Sequence, residues 1–237
     1  MKRALLSVSA LVLAAVAAYE GYQLGLWRFQ YPEYPVRGID VSHHQSEIDW
    51  RAVRAAGIRF AYLKATEGGD FTDPRFERNW RDAGDAGIAR GAYHFFSLCR
   101  TAETQAANFL SSVPSDPNAL PPALDLEFGG NCASRPAPPV LCDNLKHYLK
   151  IVEERFGKRV VFYATRDFLE SYPCVPDRPL WGRSLLRAPD RRWKLWQFAS
   201  RARVPGIKGP VDLDVFVGDA AGWDALLQNL NVSPKRP

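Results

Sequence analysis

Eight apolar runs of strand length recur along this chain with helix-like segments between several of them, and no other feature constrains its fold as much. The runs are residues 36–42, 59–66, 89–96, 122–127, 159–165, 179–185, 194–199 and 211–218. Asp49 is placed to cap the helix-like WRAVRAA, which stops at Gly57. Asp73 followed by Pro74 reads as an N-cap and first helical position for a segment ending at Gly87. Residues 101–110 and 140–156 are two more helix-like segments, the second closed by Gly157. Strands alternating with helices predict a mostly parallel sheet, and eight such units predict an α/β fold, a modified TIM-like (β/α) barrel. Shorter connections among the last four strands make its second half irregular. An open doubly wound sheet is the alternative.

The 237 residues suffice for one large domain or two small ones. Residues 1–27 open with Lys2 and Arg3, then run uncharged and apolar from Ala4 to Ala18. This is the make-up of a signal peptide, with a small-x-small step at Ala15, Val16 and Ala17. It is equally that of an uncleaved membrane anchor, because apolar character resumes at Tyr22, Leu24, Leu26 and Trp27. Either reading exports the rest of the chain, to the periplasm or the medium. Residues 28–36 then read as a linker rich in Pro and Tyr, 37–230 as the barrel and 231–237 as a tail.

Cys99, Cys132, Cys142 and Cys174 fit an oxidising compartment. A local Cys132–Cys142 disulfide would tie down the Pro-rich loop between them and leave Cys99 for Cys174; buried free thiols are the other reading. No C-x-x-C spacing supports zinc, and the adjacent His43 and His44 lack a third partner, so no metal is expected. The net charge of +5 is compatible with a polyanionic surface or substrate, while a solvated basic surface is the plainer reading. Its basic residues are scattered and form no nucleic-acid module, so nucleic acid is not an expected partner.

Within residues 122–127, PALDLE, Asp125 and Glu127 share one strand face while Leu124 and Leu126 take the other. If that face is enclosed, desolvation and mutual repulsion push the two pKa values apart, leaving one acid and one carboxylate suited to work on a glycosidic bond. In a barrel, active sites gather at the C-terminal ends of the strands. Asp40 sits late in the first run and Asp212 in the eighth, its neighbour on closure, so acids distant in sequence are expected at one mouth.

Taken together these residues resemble glycoside hydrolase family 25, the lysozymes that cut peptidoglycan between N-acetylmuramic acid and N-acetylglucosamine. The resemblance rests on RGIDVSHHQSEIDW, AYLKATEGGDFTDPRF, ARGAYHFF, ALDLE, FYAT, LWQFA and GIKGPVDLDVF, in family order from about Arg37 to about Phe216. It implies a modified (β/α) barrel, a monomer without a cofactor, and peptidoglycan glycan strands as partner. It also implies Glu127 as general acid, Asp125 as stabiliser of the acetamido group or transition state, and Asp40 and Asp212 as residues that tune the pair. Tyr62, Lys64, Tyr93, Tyr163, Trp196 and Gln197 occupy motif positions and are candidates for substrate contact.

Two positions depart from the family pattern. Asp214 stands where the family often has Asn, adding a negative charge on the strand face of Asp212. After Trp181 come Gly182, Arg183 and Ser184 rather than the family's W-x-A-x-Y; Arg183 or Arg187 could instead meet an anionic group of the substrate. Competing functions are a chitinase-like N-acetylglucosaminidase and a wall-binding module without turnover. The first normally carries a longer D-x-x-D-x-D-x-E pattern, and Pro121 and Pro122 occupy its upstream region here. The second is disfavoured by four filled acidic positions. No G-x-S-x-G is present to support a nucleophilic triad.

Overall fold

The computed structural model describes residues 11–18, 31–173, 178–185 and 193–230. Its strands are β1 (Arg37–Val41), β2 (Ile58–Glu67), β3 (Phe71–Thr72), β4 (Ala89–Phe95), β5 (Ala123–Leu126), β6 (Val161–Ala164), β7 (Leu180–Arg183), β8 (Trp193–Ala202) and β9 (Val211–Phe216). Its helices are α1 (Trp50–Ala55), α2 (Phe76–Asp85), α3 (Ala102–Ser112), α4 (Pro138–Phe156), α5 (Arg166–Ser171) and α6 (Ala220–Leu230). All eight sequence runs are strands; the two-residue β3 and the short α5 carried no clear sequence signal.

Strands β1, β2, β4, β5, β6, β7 and β8 pair in parallel around the sheet, and β9 closes it between β8 and β1. The result is a closed eight-stranded barrel, with β3 hairpinned onto the end of β2 outside the ring. The expectation of C-terminal strand ends needs one correction. β9 runs antiparallel to both neighbours, so the start of β9, not its end, lies at the mouth. The segment between β8 and β9 includes no helix, and without a crossover helix the chain can only return antiparallel.

Alternation along each strand sorts side chains between two cores. Leu124 and Leu126 of β5, Phe162 of β6 and Leu63 of β2 point outward under α3 and α4. Fully burying each such side chain is worth about 1.5–3 kcal/mol. Phe60, Tyr62, Val161, Trp181, Leu195 and Phe216 point inward and fill the lower barrel, and Trp223 of α6 closes its base against Phe60 and Phe216. Gly91 opposes Tyr62 in the β2–β4 register, and any Cβ there would run into the Tyr62 ring. This plug leaves open space only at the mouth.

Helix ends follow their local chemistry. Asp49 accepts from the amides of Arg51 and Ala52 as the cap of α1, and Thr101 caps α3 by accepting from Thr104. Gly157 ends α4 in the left-handed region at φ 64°, where a Cβ is disfavoured. Asp73 does not cap α2, which starts at Phe76. Its buried carboxylate instead accepts from the Arg75 amide and from both the amide and ring Nδ1 of His43, at 2.9 Å each.

One further expectation changes. Cys132 pairs with Cys99, not Cys142, because both lie in loops that leave the mouth ends of the adjacent strands β4 and β5 and bring their Cα atoms within 6.3 Å. Cys142 is also disulfide-bonded; Cys174 lies outside the described residues. In the Tyr-rich segment ahead of β1, Tyr31 packs at a tilt against the Trp196 ring, 4.4 Å between centroids, and Tyr34 meets that ring edge-on. Most of the export segment lies outside the described residues. Residues 11–18 are helical with exposed side chains, and no described helix is long and apolar enough to cross a membrane.

Candidate active site

Pairing registers bring the acids together. Asp40 stands opposite Asp212 across β1 and β9, and Asp214 opposite Gln197 across β9 and β8. Asp125 is level with Phe95 on one side and Tyr163 on the other. Above the apolar plug these residues border a cleft of about 530 Å³, lined by Asp40, Lys64, Tyr93, Asp125, Glu127, Tyr163, Gln197 and Asp212 among others.

The polar contacts are ordered. Tyr163 donates its hydroxyl to Gln197 Oε1 at 3.1 Å, and Gln197 Nε2 donates to Asp40 Oδ2 at 2.8 Å. Asp214 is fully buried and accepts from Trp181 Nε1 at 2.7 Å, while its Oδ2 meets no amide or hydroxyl donor. Asp40 is its electrostatic partner, and Asp40 is in turn coupled to Asp212, its register partner across β1 and β9. Burial raises all three carboxyls above the ordinary aspartate range, so each holds a proton more readily than an isolated aspartate does.

The electrostatics agree. Burial first, then the charge of Asp214, holds Asp40 well above the usual carboxylate range. Burial and then Asp40 push Asp212 up to about 9. Asp125 is raised by burial, then by Glu127 and Asp40, with Lys64 opposing. Glu127, nearer the solvent, is raised by burial, with the Arg183 guanidinium opposing. Among the described residues two cations, Lys64 and Arg183, border five carboxyls in this cleft, an imbalance that favours retained protons.

A model of the Glycosyl hydrolases family 25 matches residues 39–207. The chain belongs to this family. It is 37% identical over 212 residues to the uncharacterized protein YegX of Escherichia coli K12, covering 85% of this chain and 76% of that one. It is 34% identical over 213 residues to Lysozyme M1 of Streptomyces globisporus, covering 82% and 72%. Among solved structures, a family 25 glycosyl hydrolase from Bacillus anthracis superposes with TM-score 0.76 at 35% identity, over 81% of this chain and 93% of that one. The lysozyme of Streptomyces coelicolor gives 0.72 at 33%, over 82% and 98%. The chain is thus a glycoside hydrolase of the lysozyme group.

Not all the residues singled out in this family 25 hydrolase reach the cleft. Tyr62 does not: its ring is in the barrel plug against Trp181, 4.9 Å between centroids, and its hydroxyl donates to the Pro121 carbonyl at 3.1 Å. Trp196 does not either. It is level with Gly182 on the outward face, fully buried under Tyr31 and Phe198, with its indole N–H on the Ser184 carbonyl. Strand parity separates Trp196 from its neighbour Gln197, which faces the cleft. Asp214 points inward, beneath Asp212. His44 lines the cleft, whereas His94 is buried between Thr66 and Gln105, its pKa pulled to about 4 by burial. Arg187 lies outside the described residues.

Sequence reasoning missed Asn131. Its Nδ2 donates to the carbonyls of Phe96 at 2.8 Å and Glu127 at 3.0 Å, and its Oδ1 accepts from the amides of Leu98 at 3.0 Å and Cys132 at 2.9 Å. One amide thus fixes the backbone of Glu127 to the disulfide-linked loops. The only hint in sequence was its place beside Cys132. Trp181 also walls the cleft and anchors Asp214, a role its motif position did not reveal.

Proposed function

We propose that this family 25 enzyme hydrolyses the β-1,4 bond between N-acetylmuramic acid and N-acetylglucosamine in peptidoglycan, with Glu127 as general acid and Asp125 as stabiliser. The observation that carries this reading is the unequal placement of the two acids. Glu127 stands at the cleft edge, half-buried, where burial favours its protonated form and a leaving oxygen can take that proton. Asp125 is deeper, and its Oδ1 is buried without a donor from the protein. The N–H of a substrate acetamido group supplies the missing donor, and the aligned acetamido oxygen, or the developing charge itself, is then steadied by Asp125.

Asp40 and Asp212 tune the pair. In the free enzyme, burial, Glu127 and Asp40 all raise Asp125. In this reading it is the N–H of the bound acetamido group, with Asp40 holding its own proton, that lets Asp125 ionise while Glu127 keeps the proton it donates. Tyr93, Tyr163, Lys64 and Gln197 border the sugar path, with Lys64 held by Glu67 at 2.6 Å. The enzyme acts as an exported monomer on wall glycan, free or anchored through its N-terminal segment. The export-like leader and the disulfides support that location.

The test is digestion of purified peptidoglycan and mass spectrometry after borohydride reduction. The expected products end in reduced muramic acid, and Glu127→Gln should lower their release by about 100-fold to 10,000-fold. New ends on N-acetylglucosamine would overturn the bond assignment, and an active Glu127→Gln enzyme would overturn the acid. Binding to wall without any new reducing end would favour the non-catalytic module.

A further inference from the structure

Among the described residues the cleft is lined by Asp40, Glu67, Asp125, Glu127 and Asp212, against which stand two permanent cations, Lys64 and Arg183. Lys64 is already committed, its ammonium 2.6 Å from Glu67 and over the Phe95 ring at 5.1 Å. Arg183, the last residue of β7, is exposed, and its guanidinium forms no hydrogen bond or salt bridge among the described residues. It is nonetheless near enough to act on Glu127, Asp212 and Tyr163 through space. A guanidinium beside several carboxyls that pairs with none of them keeps its planar fork of donors available to a ligand.

Resting on the muramidase reading, we infer that Arg183 receives a carboxylate carried on the 3-O substituent of the substrate's muramic acid and thereby selects anionic wall glycan over neutral glycan. An acidic cleft repels such a substrate unless a cation meets its charge, whereas a neutral N-acetylglucosamine polymer needs none. The carboxylate has two sources: the lactyl acid where the peptide is absent, or the acidic residues of the stem peptide. Arg183 is a binding residue in this role. It donates to the substituent and takes no part in proton transfer.

The experiment uses four glycans: peptide-free strands, the same strands with carboxyls converted to methylamides, intact peptidoglycan, and intact peptidoglycan amidated likewise. The readout is the ratio of kcat/KM for each acid form to that of its amide. The wild type is expected to favour the acid form by about tenfold or more, as a charge-assisted bidentate contact does. Arg183→Gln should bring that ratio near one, and Arg183→Lys should keep part of it. Collapse in the peptide-free pair identifies the lactyl acid; collapse only in the intact pair identifies the stem peptide. A ratio that Arg183→Gln leaves unchanged in both pairs overturns the proposal, as does a wild type that does not discriminate. If the wild type releases no reducing ends at all, the muramidase reading falls instead. Calorimetric binding of the same four glycans to Glu127→Gln, with and without Arg183→Gln, then still decides the role of Arg183.

Discussion

Gln197 on β8 donates to Asp40 on β1 at 2.8 Å while accepting the Tyr163 hydroxyl from β6 at 3.1 Å, so a single amide fixes how an acid and a tyrosine face one another across the barrel mouth. Gln197→Leu keeps most of the volume but leaves both partners unsatisfied in a confined site. We expect kcat/KM on wall glycan to fall by about tenfold to a hundredfold. Reducing-end release against substrate concentration checks this, and an unchanged kcat/KM would remove Gln197 from the site.

Stability should depend on pH through Asp212. Its folded pKa of about 9 lies above the ordinary aspartate value of 3.8, so folding favours the protonated form. The stabilisation is fully present below about pH 4 and is lost as pH rises through 9, because the unfolded chain gives up the proton first. Asp212→Asn cannot ionise and escapes the loss. Its Tm should match wild type at pH 4 and exceed it at pH 8 by about 2–4 °C for each kcal/mol recovered. Thermal melts at the two pH values decide, and an equal offset at both would contradict the shift.

Asn131→Ala removes four hydrogen bonds at once, two of them to the carbonyls of Phe96 and Glu127. A loss of roughly 2–4 kcal/mol is expected, since the backbone groups left behind are partly buried. Because Glu127 is tethered through this amide, kcat should drop more than KM rises. Calorimetric melts paired with kinetics test this; lower stability with unaltered kcat would make Asn131 purely structural.

Trp196 separates packing from binding. Trp196→Phe should lower stability by about 1–3 kcal/mol through lost volume under Tyr31 and Phe198 and the lost bond to Ser184. KM should stay within about twofold, as expected for a substitution remote from the substrate. A large rise in KM with unchanged stability would return Trp196 to the substrate contacts.

Which segments become strands and helices was legible from the residues alone, because alternation and caps are local: β5 buries Leu124 and Leu126 on one side and turns Asp125 to the other whatever it packs against. The ordered motifs also identified the family. Everything that depends on neighbours across the barrel had to wait for closure. Tyr62 looked like a cleft aromatic until the Gly91 gap drew its ring into the plug. Asp214 shares the strand face of Asp212, but only the antiparallel return of β9 sets it beneath Asp212 and against Trp181. Cys132 chose Cys99 because the β4 and β5 loops emerge side by side, a proximity that sequence spacing does not encode. The raised pKa values of Asp40, Asp212 and Asp214 likewise arise only when closure removes three distant carboxyls from water together.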